Sequence, residues 1–485
     1  MTSKSAPAAA PSADWRIIGL GAAIVAAVGL GVGIGVSAGW ATLVFGALLL
    51  FAVYVLLLFR YPERGLWLLA IGLPYERLGA LPVGFFTLKF GHVVTAFIVV
   101  SLAARAAITK SIRFAADPLR IPLMLFLAAS ILSLINAPDL VRGVALIGQL
   151  LVGYLVYFCV VNLLNRANVL PTLLALWIGS AIVALFGLYQ FVGDYVGLPP
   201  AVTGLVPSYS GAAAFGFARI TGPSLEPLYF ANYLLLPILT ALAFLVGTRG
   251  KGRVRLAGFL ALVGVVFVLT LARGAFLGLA AGLVVLLLRY WRYLVRPKVV
   301  ITGLTVVLVT GVAVVWLLLQ STRGAESPLD AFGRQIGVTG TDVSSQQRIG
   351  TVGAATELVQ DHPLVGVGVG NFGHYYQDPL TPPSGSQIPQ TVHNQPFETL
   401  VETGVLGLAA LVLVGFVLLK RTIEAWRRVQ GRFLTAALVG TAAAVLAIFV
   451  QAQTFSTLYL MHVWFAIGLL VAVQNLILVP REAAQ

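Results

Sequence analysis

Apolar runs of about twenty residues recur along the whole chain, separated by short polar stretches. A run of that length is long enough to cross a bilayer core as a helix. The pattern predicts fourteen spans, at roughly 16–38, 41–59, 65–80, 90–104, 119–136, 143–163, 168–192, 228–247, 255–271, 274–289, 299–319, 396–419, 433–452 and 458–478. The run at 65–80 is interrupted by Pro74, Glu76 and Arg77, and reads equally as a short, broken or re-entrant segment. Residues 255–289 form one apolar block split by Arg273 and Gly274, which predicts a tight helical hairpin. The first 14 residues are rich in Ala, Pro and Ser and read as a disordered tail. The run that follows, from Trp15 to Ala38, exceeds the 7–15 apolar residues of a secretory signal and reads as a retained helix.

Two polar stretches are long. Residues 193–227 join two spans, and residues 320–395 form the largest loop. Loops of that length are commonly functional or disordered. In the second, Ser344 or Ser345 can cap a helix running to about Gln360, with Ile349, Val352, Leu358 and Val359 at near-helical spacing. Asp361-His362-Pro363 ends it. A tail with Pro379, Pro382, Pro383 and Pro389 then returns to the membrane at His393. No internal repeat is visible.

Composition agrees with this pattern. Of the 485 residues, 59% are hydrophobic and 10% charged, and the mean hydropathy is +0.96. Soluble domains carry about 25% charged residues. A soluble enzyme, a disordered chain and a collagen-like fibre are excluded. The single cysteine, Cys159, lies in an apolar run; it allows no intrachain disulfide and reads as a small buried apolar residue.

The net charge of +14 changes meaning once the charges are placed by topology. Cytoplasmic loops carry an excess of Lys and Arg. With the amino terminus inside, most of the 31 basic residues fall on the cytoplasmic side. Arg77, Lys89, Arg142, Arg219, Arg273, Arg323, Arg334 and Arg348 fall outside. Of the 17 acidic residues, Asp14, Glu63, Asp117, Glu424 and Glu482 fall inside and the rest outside. The positive charge is therefore a topology signal, and no nucleic-acid partner is expected. The predicted fold is one all-α polytopic membrane domain of 12–14 transmembrane helices, with both termini cytoplasmic. Its parts are a cytoplasmic tail (1–14), membrane helices over 15–319 including the outer loop 193–227, a large, partly helical extracytoplasmic loop (320–395) and C-terminal membrane helices (396–485).

Ionisable residues inside a membrane mark sites by default, and here they are scarce, which argues against a proton relay. The candidates sit at the outer boundary instead. Arg273 occupies the outer turn of the hairpin; it either snorkels to headgroups or binds a partner. Arg219 precedes Thr221-Gly222-Pro223 and either pairs with Glu226 or Asp194 or contacts a ligand. Arg348 falls in the loop helix, on a solvated face, in a pair with Asp342, or at a ligand. Guanidinium groups make bidentate contacts to phosphate, so several arginines at this depth fit a lipid-linked diphosphate. Fixed positive charge also stabilises such a leaving group without a metal.

His393 opens the span after the large loop. It either caps the helix or takes a proton from an acceptor hydroxyl. Asn394 follows it. Glu398 and Glu402 lie one turn apart at the head of the same span, where carboxylates favour the helix dipole. As the deeper of the two, Glu402 is expected to need a partner such as Arg273. His362 and His374 read as loop residues, and His92 and His462 as packing residues. Gly366-Val-Gly368-Val-Gly370 resembles a phosphate loop but lacks a strand-turn-helix context, so it reads as a flexible or tightly turning loop. No Asp-x-Asp pair or His/Cys cluster stands at ligand spacing, and no metal or other cofactor is expected.

Three segments resemble the O-antigen ligase and polymerase superfamily: Leu269-Thr270-Leu271-Ala272-Arg273-Gly274-Ala275, then Gln347-Arg348 with His362-Pro363-Leu364-Val365-Gly366-Val367-Gly368, then His393-Asn394 with Glu402-Thr403-Gly404-Val405-Leu406-Gly407. The resemblance covers roughly residues 210–420. It implies a GT-C type membrane glycosyltransferase, inverting and metal-independent, in the cytoplasmic (inner) membrane with its active side outside. The donor would be a glycan on undecaprenyl diphosphate, and the acceptor a saccharide or glycolipid such as a lipid A-core. By this resemblance Arg219 and Arg273 contact the diphosphate, Arg348 is the loop arginine, and His393 is the base or positions the acceptor. Ala272 stands where many members have Ser, which removes one local hydrogen bond. Ligase, polymerase and protein-directed transfer remain open. A transporter of lipid-linked glycans would instead show paired repeats and broken helices at the midplane, and a non-catalytic scaffold would tolerate loss of His393 and Arg273.

Overall fold

The computed structural model describes residues 61–75, 81–83, 86–109, 114–206, 218–224, 226–250, 252–294, 343–376 and 391–479. The tail 1–14, the spans predicted at 16–38, 41–59 and 299–319, Arg77, and the proline-rich return over 377–390 lie outside the described residues.

Helices longer than one turn are numbered here in chain order. Helix α1 (Pro62–Gly72) starts on a proline, whose missing N–H costs nothing in a first turn. It ends before Pro74, which has no N–H to donate to the helix. Its 11 residues are too few to span a bilayer. An antiparallel hairpin of β1 (Leu81–Val83) and β2 (Phe86–Leu88) follows, with Leu81 opposite Leu88. The span predicted at 65–80 is therefore a short helix leading into a hairpin.

The remaining helices are α2 (Phe90–Thr109), α3 (Arg120–Ser133), α4 (Leu140–Leu163), α5 (Val169–Tyr195), α6 (Pro227–Gly247), α7 (Gly252–Leu269), α8 (Arg273–Leu294), α9 (Val343–Asp361), α10 (Gln395–Arg428), α11 (Arg432–Gln451) and α12 (Met461–Leu478). Among the described residues, eight of these (α4 to α8 and α10 to α12) are long and apolar enough to cross a membrane. The chain is a multi-pass membrane protein of all-helical class, the small hairpin aside. Helices α6, α11 and α12 are the most buried, and α7 and α8 the least. Helix α11 packs on both α6 and α8, α4 packs on α12, and α3 packs on α10. Small residues permit the closest approach: Gly278 and Gly282 of α8 face the backbone of Ala447 and Ala443 on α11. Such contacts drive helix association where lipid offers no hydrophobic contrast.

Helix α10 departs from the expected continuous span. It breaks at Gly404, which has φ 67° and ψ −171°. A Cβ there would run into the carbonyl of Leu364. The backbone groups around the break bond instead to the glycine-rich segment before it. Val367 N–H donates to Val401 O (3.0 Å) and Gly368 N–H to Glu402 O (3.0 Å), while Val405 N–H donates to Pro363 O (2.9 Å). Irregular backbone at membrane depth needs such internal partners. From the break to Arg428 the helix still measures about 36 Å, more than a hydrocarbon core of about 30 Å.

Helix α9 occupies the stretch predicted to be helical in the large loop. It packs on the first half of α10 through a second small core of Ala355, Val367, Phe372, Val392 and Val401. Of the apolar positions expected on it, Leu358 and Val359 pack against this core. Thr351 and Ala355 are buried, while Val352 is exposed.

Candidate functional site

Helices α7 and α8 meet in the turn Thr270–Ala272. Leu271 holds φ 52°, an uncommon left-handed conformation for a residue with a branched side chain. Arg273, exposed, is the first residue of α8, where the helix dipole already favours anions. Arg219 joins it from the segment before α6: its Nε donates to Thr270 O at 3.3 Å. Arg219 also faces Glu226, the residue capping α6. Burial pushes the Glu226 carboxyl above its ordinary range, and the Arg219 charge opposes that shift. Arg219 thus has a backbone contact and a carboxylate within reach of its charge.

The turn between α11 and α12, residues 452–460, brings His393 to the same place. Gly274 packs against this turn so closely that a Cβ would run into Thr454 Oγ1. The neighbouring Phe455 lies 6.3 Å from His393, ring centre to ring centre, in a stacked orientation. Phe455 also touches Tyr229 of α6, with centroids 4.5 Å apart. One turn therefore gathers the Arg219–Thr270 pair, the Arg273–Gly274 corner and His393.

His393 is not the helix cap. Asn394 is, with Oδ1 accepting from Phe397 N–H at 3.0 Å. Its amide donates to Gln453 O at 3.0 Å. Gln395 adds three bonds: its N–H donates to Ala452 O, and its Oε1 accepts from Thr457 N–H (2.7 Å) and Leu458 N–H (2.9 Å). His393 itself is half-buried and holds φ 56°. Thr391 Oγ1 lies 3.4 Å from its Nδ1.

Glu402 finds partners other than the expected Arg273. Its Oε1 accepts from Phe372 N–H at 3.4 Å. The guanidinium whose field reaches both Glu402 and Glu398 is that of Arg142 on α4. Arg142 Nε in turn donates to Gly370 O. The correction has a topological cause: α4 approaches the glycine-rich segment, while Arg273 sits across the 452–460 turn. Sequence reasoning placed Arg142 on the outer side but missed its role. The available signal was Asp139, three residues earlier, an N-cap whose carboxylate accepts the Arg142 N–H at 2.9 Å.

The segment Pro363–Asn371 is a tight strap. Gly366, Gly368 and Gly370 all hold positive φ. Asn136 Nδ2 donates to Gly366 O (2.8 Å), Val369 N–H donates to Ser133 Oγ (3.0 Å), and Asp139 N–H donates to Asn371 Oδ1 (2.9 Å). Of the two readings of this segment, the tightly turning one describes it. His374 lies 3.5 Å from Asp139 Oδ2. The N–H of Arg142, more than His374, holds the Asp139 carboxyl below its ordinary range.

Arg348 falls on α9, and its side chain lies outside the described residues. His462 is buried, with Nε2 2.7 Å from Asn232 Oδ1, and Asn232 Nδ2 donates to Gln451 Oε1 at 3.0 Å. This cluster ties α6, α11 and α12 together as polar glue. Among the described residues no three His, Cys, Asp or Glu side chains come together in a metal-holding group.

Residues 256–412 match the family model described as O-antigen ligase. The matched stretch includes Arg273, α9, the strap, His393 and the break in α10. Arg219 and the 452–460 turn lie beyond the matched residues. No curated protein matches the chain.

Proposed function

We propose that this end of the bundle transfers a glycan from undecaprenyl diphosphate to a saccharide acceptor of the lipid A-core type, on the outer side of the cytoplasmic membrane. The observation that carries the reading is the convergence of Arg219, Arg273 and His393 on one turn, with Arg273 and His393 inside the stretch that matches the O-antigen ligase model. In the reaction an acceptor hydroxyl attacks the anomeric carbon of the donor sugar. Its proton passes to the His393 imidazole as the new glycosidic bond forms. The bond between the anomeric carbon and the phosphate oxygen breaks, and the electron pair leaves with the diphosphate. Arg219 and Arg273, at the amino end of α8, stabilise that anion. A single displacement inverts the anomeric centre. Arg348 of α9 adds a contact to the donor from the outer side.

We place the lipid part of the donor along a row of small apolar crevices that share lining residues. The first two share Leu123, Phe126 and Trp464, and the last two share Leu411, Phe449 and Leu458. They lead from Met124 and Leu151 to Gln395 and Gln453, next to His393. The same site serves a polymerase that joins lipid-linked repeat units.

One observation favours a transporter, the broken α10. Both sides of the break are bonded to the strap, which closes it against the chain's own backbone and supports the transferase over it. The deciding experiment gives the purified protein in lipid a polyprenyl-diphosphate oligosaccharide and candidate acceptors, with a chelator present. Release of polyprenyl diphosphate with a new glycosidic product, lost in His393→Ala and Arg273→Ala, is expected. Product size separates ligase from polymerase. No turnover with any acceptor, while donor still crosses the bilayer of liposomes, would overturn the enzyme reading.

A further inference from the structure

His393 holds a left-handed backbone conformation, which is unfavourable for a residue with a Cβ. Such a conformation persists only where the surroundings over-determine it. Those surroundings converge on one atom. Glu398 Oε2 accepts the N–H of Val392 at 3.0 Å and the hydroxyl of Ser456 at 2.6 Å. Val392 directly precedes His393, and Ser456 directly follows Phe455, whose ring stacks on the imidazole. One carboxylate oxygen thus ties together the two chain segments on either side of the histidine ring. Glu398 is itself buried on the fourth residue of α10, so it is held rigidly. This goes beyond the helix-end role that its position in sequence accounts for. A charge favouring the helix dipole needs neither Val392 nor Ser456.

We propose that Glu398 is the positioning residue for His393: its Oε2 clamps Val392 and Ser456 so that the imidazole stays stacked on Phe455 and aimed at the acceptor. The claim that this serves catalysis rests on the transferase reading above; the clamp itself does not. The clamp works by accepting two hydrogen bonds, and a glutamine carbonyl oxygen can accept both. A charge or proton-transfer role would be lost in glutamine and alanine alike.

The test uses full-length protein in lipid, with Glu398→Gln, Glu398→Ala and the milder Ser456→Ala. Turnover is followed with lipid-linked donor. In parallel, without substrate, diethylpyrocarbonate modification of His393 is measured by mass spectrometry relative to the exposed His374. Misplacing a reacting group by about 1 Å can cost about 100-fold. Glu398→Ala is therefore expected to lower kcat about 30- to 100-fold with donor KM within about threefold, and Glu398→Gln to lower it less than about fivefold. His393 should be modified several-fold faster in Glu398→Ala and near the wild-type rate in Glu398→Gln. Ser456→Ala should shift both readouts in the same direction by less, and it decides the matter if Glu398→Ala does not fold. Equal loss in the Gln and Ala variants, or a His393 modification rate that neither Glu398→Ala nor Ser456→Ala changes, would overturn the proposal. If the wild type itself transfers no glycan, the transferase reading fails, and the modification rates still decide whether Glu398 holds His393.

Discussion

The two ends of the helical bundle both carry arginines and carboxylates, but they hold them differently. At one end, Asp117 accepts from the hydroxyls of Tyr157 (2.6 Å) and Tyr154 (3.2 Å) and from Leu119 N–H (3.2 Å). Nearby, Arg421 donates to Asn475 Oδ1 at 2.7 Å, and Asn475 Nδ2 donates to Ala116 O. The side chains there stand on regular helices or short turns and bind one another. At the other end, Arg273 and His393 stand beside left-handed Leu271, on left-handed His393 itself, and near a helix broken at Gly404. The lesson is that charge at a membrane boundary does not separate a site from a structural tie. Backbone held away from its preferred geometry, next to that charge, does.

The largest effects should sharpen this contrast. His393→Ala and Arg273→Ala should each lower glycan transfer by about 100- to 10,000-fold, while Arg421→Gln should leave kcat within about twofold, by the same release assay. Comparable losses at both ends would break the comparison. Next in size, Gly404→Ala should destabilise the protein by about 2–4 kcal/mol, adding a clash with Leu364 to left-handed strain, seen as a lower midpoint of thermal unfolding in detergent. Tyr157→Phe removes one of three bonds to Asp117 and should cost about 1–2 kcal/mol in the same measurement, with transfer unchanged.

The smallest effect concerns pH. The Asp139 carboxyl titrates below its ordinary value in the folded chain, chiefly because the Arg142 N–H favours the charged form. A depressed carboxylate contributes stability above the pH where the unfolded group titrates, about 4, and loses it as pH falls through the folded value. The protection factors of the amides over the first turn of α4, corrected for intrinsic exchange at each pH, should therefore fall in acid. Asp139→Asn should remove most of that acid dependence; a variant that keeps it would assign the effect to another group.

Legibility in the sequence followed range. Helix α9 was visible because Ser344, Ser345 and Asp361-His362-Pro363 mark its ends locally. The apolar spacing inside it holds at Leu358 and Val359, while the small Thr351 and Ala355 are also buried and Val352 is left outside. The hairpin at Arg273 was visible because a charge and a glycine interrupt an apolar block. The β-hairpin after α1 was missed, since three-residue strands leave no alternation to count. Glu402's contacts were missed because Phe372, whose N–H it accepts, and Arg142, whose charge reaches it, lie far from it in sequence.

By itself the sequence determined that this is an all-helical membrane protein and which residues can carry charge at its boundary. Hydrophobic length and charge placement are local properties, and the bilayer acts on each segment separately. Only the tertiary structure decided that Phe455 stacks on His393, that Glu398 joins Val392 to Ser456, and that the glycine strap bonds the break in α10. Those contacts join segments far apart in the chain, and helix packing chooses which of the many compatible pairings form.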